Sequence, residues 1–189
     1  MNRLKKVYFV MHKISCYLSK IISVVVFLLV LTNIFSVTLQ IFNRRLVTII
    51  SSISFPWTEE LSRYSLIWLS YLALPMCFRE GSMTQLDIVY SRLGKKGRFI
   101  LYAITRLFIL VFSLIVIKFG WEYTLKRRVF KSTMLAVPGI VLYSIPVISS
   151  LLILYELITE VIGVIAGEIV PFNAGEKRNF PEHMNPTAE

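Results

Sequence analysis

Long apolar runs alternate with short polar segments along most of this chain. The runs predict helices over residues 15–42, 56–78, 99–123 and 134–166. Each run has at least the roughly 20 residues that a helix needs to cross the hydrocarbon core of a bilayer. The pattern therefore predicts an all-α integral membrane protein, a single domain over residues 1–189 with four transmembrane helices.

The segments between and beyond these runs give three further predictions. Residues 91–99 are basic with scattered apolar side chains, which favours a short interfacial helix between the second and third spans over a plain loop. Residues 171–189 are predicted to form a flexible tail. The first apolar run is too long for a signal peptide and no small-residue cleavage site follows it, so we expect it to stay attached.

Composition and charge support the membrane assignment. The chain is 56% hydrophobic with a mean hydropathy of +0.67, whereas soluble domains are about 45–50% apolar. Its net charge of +10 comes from bases in the short polar segments. Bases in the short segments between apolar helices are typical of multi-pass membrane proteins, and this distribution argues against nucleic acid as a partner. Because the inner segments then hold more lysines and arginines than the outer ones, both termini are predicted in the cytoplasm, although Lys126–Lys131 forms a dense outer cluster.

Charges within the apolar runs need partners or access to headgroups. Arg106 lies in the third run, and Glu156 and Glu160 lie four residues apart on one face of the fourth. Counting residues from the inner helix ends places Arg106 and Glu156 at similar depths, which predicts an intramembrane ion pair from this group. Snorkelling of each side chain to the interface is the alternative.

The outer end of the second run carries an unusual concentration of charged and aromatic residues. Glu59 and Glu60 lie four and three residues before Arg63, so both acids can face the arginine on one side of a helix. Trp57 suits an interfacial position, whereas Trp68 lies deeper, where a large aromatic ring more often packs against another helix. We predict that these five residues face a partner or pack between helices.

The chain contains no arrangement typical of an enzyme or a metal site. His12 and His183 lie near opposite ends of the sequence, and no phosphate-binding loop or metal-ligand spacing is present. Cys16 and Cys77 are too few for a disulfide framework. We therefore predict no catalytic residue, no bound metal and no cofactor in this chain.

The order of motifs resembles a known membrane-protein family. The sequence reads Pro56-Trp57-x-Glu59-Glu60-Leu61-x-Arg63-Tyr64, then Trp68, then Arg79-x-Gly81 and Asp87, then Pro138 and Pro146. This series is similar to the small membrane subunit, DctQ type, of tripartite ATP-independent periplasmic (TRAP) transporters. One departure is Met83, which stands where many relatives have a histidine two residues after the glycine.

The resemblance implies roles for residues as well as for the whole chain. Arg79, Gly81 and Asp87 would shape the inner turn after the second helix. Pro138 and Pro146 would break or kink the early part of the fourth helix. The chain would be a scaffold subunit in the bacterial inner membrane, in contact with lipids and packed against a large permease subunit. A periplasmic binding protein would deliver an organic acid, and sodium would bind the large subunit.

Two other classes of function fit parts of the pattern. The first is a self-contained four-helix membrane protein, such as a sensor or an assembly factor, with no transport partner. The second is a membrane-embedded enzyme, which would need a polar cavity around Glu59, Glu60 and Arg63.

Overall fold

The described part of the chain is helical apart from its turns and one isolated antiparallel bridge between Lys131 and Pro138. The computed structural model describes residues 3–49, 55–79 and 94–166. Within these ranges lie four helices, α1 (Arg3–Ile49), α2 (Trp57–Arg79), α3 (Lys95–Lys126) and α4 (Gly139–Ile165). The predicted all-α class is confirmed. The predicted flexible tail, Gly81, Asp87 and residues 91–93 lie outside the described residues, whereas residues 95–99 of the predicted interfacial stretch form the first part of α3.

Three of the four helices are long and apolar enough to cross a membrane, namely α1, α3 and α4. The helix α2 has 23 residues and two acids in its first turn, and it is not among these three. With 47 residues, α1 extends beyond the predicted span at both ends. At a rise of about 1.5 Å per residue it reaches about 70 Å, roughly twice the thickness of a hydrocarbon core.

The helix α4 packs against each of the other three, and α1 also packs along α2. The buried apolar residues are few, and they come from all four helices: Tyr8, Leu72, Phe78, Tyr102, Leu142, Ile145, Val147 and Leu157. Several buried positions in the helices are serine or threonine, including Ser65, Ser113, Ser149 and Thr159. Small polar side chains at helix contacts are typical of membrane bundles, where they allow close approach and bond to backbone groups.

A proline inside α2 shows how such a bond forms. Pro75 has no N–H group, so the carbonyl of Tyr71 loses the donor that would complete its helical hydrogen bond. The hydroxyl of Ser149 on α4 donates to this carbonyl at 2.6 Å. Since an unsatisfied carbonyl is costly in lipid, this contact both satisfies the backbone and joins α2 to α4.

The turn between α3 and α4 sets where the last helix begins. Pro138 has an extended backbone and occupies the N-cap, so α4 begins at Gly139, five residues after the predicted start of the span at 134. The two proline positions therefore differ in kind. Pro138 precedes the helix, whereas Pro146 lies within it.

Replacing Gly139 with alanine is expected to lower stability. A Cβ atom there would lie 2.9 Å from the carbonyl oxygen of Phe130 and closer still to that of Arg127. Because both atoms belong to the backbone, the turn would have to move, and we expect a cost of about 1–2 kcal/mol in the free energy of unfolding. Thermal unfolding of the purified full chain in detergent measures this. Gly94→Ala is the matched control, since a Cβ at Gly94 meets nothing within 4 Å, and an equal loss in both variants would contradict the prediction.

Candidate functional site

The first turn of α2 is capped and places its two acids in different surroundings. The amide and the hydroxyl of Thr58 both bond to the carbonyl of Phe55, at 3.2 and 2.7 Å, which fixes the turn that precedes the helix. Glu59 and Glu60 follow in the first helical turn, where acids complement the helix dipole. Since adjacent residues on a helix point about 100° apart, only one of these acids faces Arg63 in the structure.

Glu59 pairs with Arg63 on the surface of the bundle. The Arg63 guanidinium donates to Oε1 of Glu59 at 3.1 Å, and these two side chains are 66% and 69% exposed. Trp57 is also exposed, whereas Trp68, which lies eleven residues further along, is half-buried. The N-terminal end of α2 thus presents a charged pair and an indole ring to its surroundings.

Glu60 turns towards the loop between α3 and α4. Its Oε2 atom accepts hydrogen bonds from the hydroxyl of Ser132 and from the amides of Met134 and Leu135, the latter two at 3.1 and 3.2 Å. One carboxylate oxygen therefore holds three donors from a loop more than 70 residues away in sequence. The spacing in the sequence allows Glu60 to face Arg63 together with Glu59, whereas in the structure Glu60 has this intrachain role instead.

Polar contacts also join α1 and α2. They occur at three levels, between Gln40 and Thr58, between Asn33 and the Ser62–Ser65 turn, and between Ser15 and Arg79. From one contact to the next, the residue number on α1 falls while the residue number on α2 rises. The two helices therefore run antiparallel. Together these contacts extend along nearly the whole of α2.

A buried ion pair joins α3 and α4 at the opposite end of the bundle. The Arg106 guanidinium donates to Oε1 of Glu160 at 2.7 Å, and the two side chains are only 10% and 5% exposed. The hydroxyl of Tyr102 donates to the same oxygen at 2.9 Å. The guanidinium carbon also lies 4.8 Å from the ring centroid of Phe78 and 4.9 Å from that of Tyr102. Arg106 is thus held by a carboxylate and by two aromatic faces.

Glu156, one turn before Glu160, binds α1 instead of Arg106. It accepts a hydrogen bond from the hydroxyl of Ser15, whose carbonyl accepts a bond from Arg79 at 3.0 Å. We call the residues of this region the four-helix polar cluster: Ser15, Phe78, Arg79, Tyr102, Arg106, Glu156 and Glu160. Because its members come from all four helices, the cluster ties the whole bundle together at this end.

The described residues contain no group of three or more His, Cys, Asp or Glu side chains that could hold a metal ion. Of the residues predicted for the inner turn, only Arg79 is described, and it is the last residue of α2. The sequence did not single out Ser15, Asn33 or Tyr102. For Asn33, a polar side chain within an apolar run was an available signal of a helix contact. Ser15 and Tyr102 gave no such signal, since serine and tyrosine are common in membrane helices.

Residues 33–167 match the sequence family described as tripartite ATP-independent periplasmic transporters, DctQ component. A putative TRAP transporter small permease protein of Haemophilus influenzae is 30% identical over 109 residues, which are 57% of this chain and 67% of that protein. The isethionate TRAP transporter permease protein DctMQ of Oleidesulfovibrio alaskensis is 46% identical over 37 residues. That match covers 20% of this chain and only 6% of the DctMQ protein.

Apolar helices of membrane-spanning length, joined by buried polar contacts, define a multi-pass helical membrane protein. The chain belongs to the DctQ component family of TRAP transporters, and it is a small permease subunit. This confirms the resemblance derived from the motifs. It also confirms that the chain is a transporter component and not an enzyme, and it replaces the interpretation as a self-contained sensor or assembly factor.

Proposed function

We propose that this chain is the scaffold subunit of a sodium-coupled TRAP transporter in the bacterial inner membrane. It packs against a large permease subunit and supports the uptake of an organic acid that a periplasmic binding protein delivers. The sodium and substrate sites lie on the large subunit. Membership of a family of tripartite transporters supports the existence of both partners.

The exposed pair of Glu59 and Arg63 carries the part of this proposal that concerns the interface. The pair lies at the end of a helix whose neighbouring surface is apolar, with Leu66 and Ile67 exposed within the next turn. Charges next to lipid-facing surface are costly unless headgroups or another protein cover them. Trp57 adds an exposed aromatic ring in the same first turn of α2, and tryptophan and arginine are among the residues enriched at interface hot spots.

We also propose that α2 is a fourth span and that both termini are cytoplasmic. The antiparallel contacts between α1 and α2 support the span, because they follow α1 from Gln40 back to Ser15. This segment of α1 lies inside one of the three candidate spans. A helix that runs beside it over that length crosses the same membrane. With four crossings, both termini lie on one side, and the distribution of bases favours the cytoplasm.

Replacing Arg63 with alanine is expected to weaken the complex at least fivefold, which corresponds to about 1 kcal/mol or more at an interface hot spot. The tagged full chain is purified from its native membrane in mild detergent, and the co-purified permease is quantified alongside substrate uptake. Lys126→Ala is the matched control, because Lys126 forms a similar exposed pair with Glu122 four residues away, at 2.7 Å. Equal yields from Arg63→Ala and the native chain would overturn the assigned interface. Purification of the native chain without any permease would overturn the scaffold function itself.

A further inference from the structure

The C-terminal part of α3 marks a membrane boundary. Large apolar side chains such as Phe108, Phe112 and Phe119 are exposed along this helix. Trp121 and Tyr123 are exposed near its end, and such aromatic rings concentrate at the level of the lipid headgroups. The residues that follow Tyr123 therefore lie at or just beyond headgroup depth.

Four bases occur at this depth within six residues, Lys126, Arg127, Arg128 and Lys131. Lys126 is paired with Glu122, and the Arg127 guanidinium lies 5.5 Å from the ring centroid of Tyr123. Arg128 and Lys131 are exposed, and neither forms an ion pair with a described carboxylate. These two bases are therefore available to an external anion.

The same loop exposes apolar side chains. Val129 is 83% exposed, and Phe130 and Met134 are also exposed. Apolar side chains between bases are typical of segments that insert into the boundary between headgroups and acyl chains. A loop facing only water or a polar protein surface would gain little from this combination.

Hydrogen bonds hold the loop in a fixed shape. The amide of Phe130 bonds to the carbonyl of Arg127 at 3.0 Å, and the carbonyl of Phe130 accepts from Gly139 at 2.7 Å. Ser132 bonds through its amide to Val137 at 3.0 Å and through its hydroxyl to Glu60. Because this backbone is already ordered, binding a ligand costs less conformational entropy than it would in a flexible loop.

We propose that the loop Arg127–Lys131 binds the phosphate headgroup of an anionic phospholipid. Arg128 and Lys131 contact the phosphate, and Val129 and Phe130 insert beside the acyl chains. The lipid is favoured over an acidic protein because the loop continues directly from the lipid-facing surface of α3 and is itself partly apolar. This inference does not depend on the proposed contact with the permease, because it rests on Arg128, Val129 and Lys131, which are not assigned to that contact, even though Glu60 joins the loop to the same end of the bundle.

Native mass spectrometry of the purified full chain tests the proposal. The chain is titrated with phosphatidylglycerol and, separately, with phosphatidylcholine. The double variant Arg128→Gln/Lys131→Gln is expected to lose about fivefold in phosphatidylglycerol affinity for each base removed. Its phosphatidylcholine affinity should fall less, because the choline group of that lipid already offsets the charge of the phosphate. Val129→Ser is expected to lower the affinity for both lipids modestly, because it removes an apolar contact and no charge.

The matched control is Lys13→Gln/Lys20→Gln, which removes two exposed bases from α1. It should retain phosphatidylglycerol affinity to within about twofold, because bases outside the loop contribute only weak, screened attraction. Equal losses in the two double variants, or native binding without preference for phosphatidylglycerol, would overturn the proposal. So would a loop variant that binds lipid normally and loses affinity for an acidic binding protein. All three substitutions in the loop are at exposed positions, so each variant should fold.

Discussion

Replacing Arg106 with alanine is expected to destabilise the chain by about 3–5 kcal/mol, the cost typical of breaking a buried ion pair. The substitution removes the guanidinium that lies 2.7 Å from Oε1 of Glu160, whose side chain is only 5% exposed in the intact bundle. It also removes the cation between the rings of Phe78 and Tyr102. Thermal unfolding of the full chain in detergent, with yield of folded protein as a second readout, measures the effect.

An exposed pair on α3 provides the matched control. Lys126 and Glu122 lie 2.7 Å apart, the same distance as the buried pair, but their side chains are 70% and 56% exposed. Because water and salt screen such a pair, Lys126→Ala should cost less than about 1 kcal/mol. The comparison isolates the effect of burial from the effect of distance.

The double variant Arg106→Met/Glu160→Leu separates a charge effect from a packing effect. It removes both charges and keeps most of the side-chain volume, so no carboxylate is left buried without its arginine. Apolar replacement of both partners of a buried pair is often close to neutral, and we expect the double variant to be more stable than Arg106→Ala. If the double variant were the less stable protein, the buried carboxylate would not be the source of the cost.

Pairing of the charges within the apolar runs is one of the two interpretations that the sequence allows, and the sequence does not resolve which acid pairs with Arg106. Residue counting placed Arg106 level with Glu156, whereas the structure pairs it with Glu160, one helical turn away. One turn is about 5.4 Å, and a modest tilt between two helices shifts their relative depth by that amount. Charge burial can therefore be predicted from sequence, while the partner depends on helix tilt.

The contacts between α1 and α2 were less predictable for a different reason. Ser15 and Gln40 are polar residues at ordinary positions in a long apolar run. The side chain of Gln40 donates to the carbonyl of Thr58, and the backbone carbonyl of Ser15 accepts from Arg79. Their importance comes from the register of two helices, which no local pattern determines. The motif at the start of α2 was recognisable as a unit, but its two adjacent acids could be assigned to different partners only from the tertiary structure.

Replacing Glu60 with alanine is expected to release the loop between α3 and α4. Oε2 of Glu60 accepts from the hydroxyl of Ser132 and from two loop amides, and all three bonds are lost together. Since the three bonds share one oxygen in an exposed region, their contributions to stability do not add, and water replaces part of what is lost. The thermal unfolding midpoint of the full chain should fall accordingly.

Hydrogen exchange locates this effect in the loop. The amides of Met134 and Leu135 should exchange faster in Glu60→Ala, by about tenfold or more, because each loses its acceptor. In Glu60→Gln the exchange rates of these amides should lie between those of the native chain and those of Glu60→Ala, since the glutamine amide oxygen can still accept a hydrogen bond but carries no charge. Glu59→Ala, which changes the adjacent exposed acid, should leave loop exchange unchanged and reduce the yield of the permease complex. If instead Glu59→Ala loosened the loop and Glu60→Ala did not, the two acids would have the opposite roles to those in the structure.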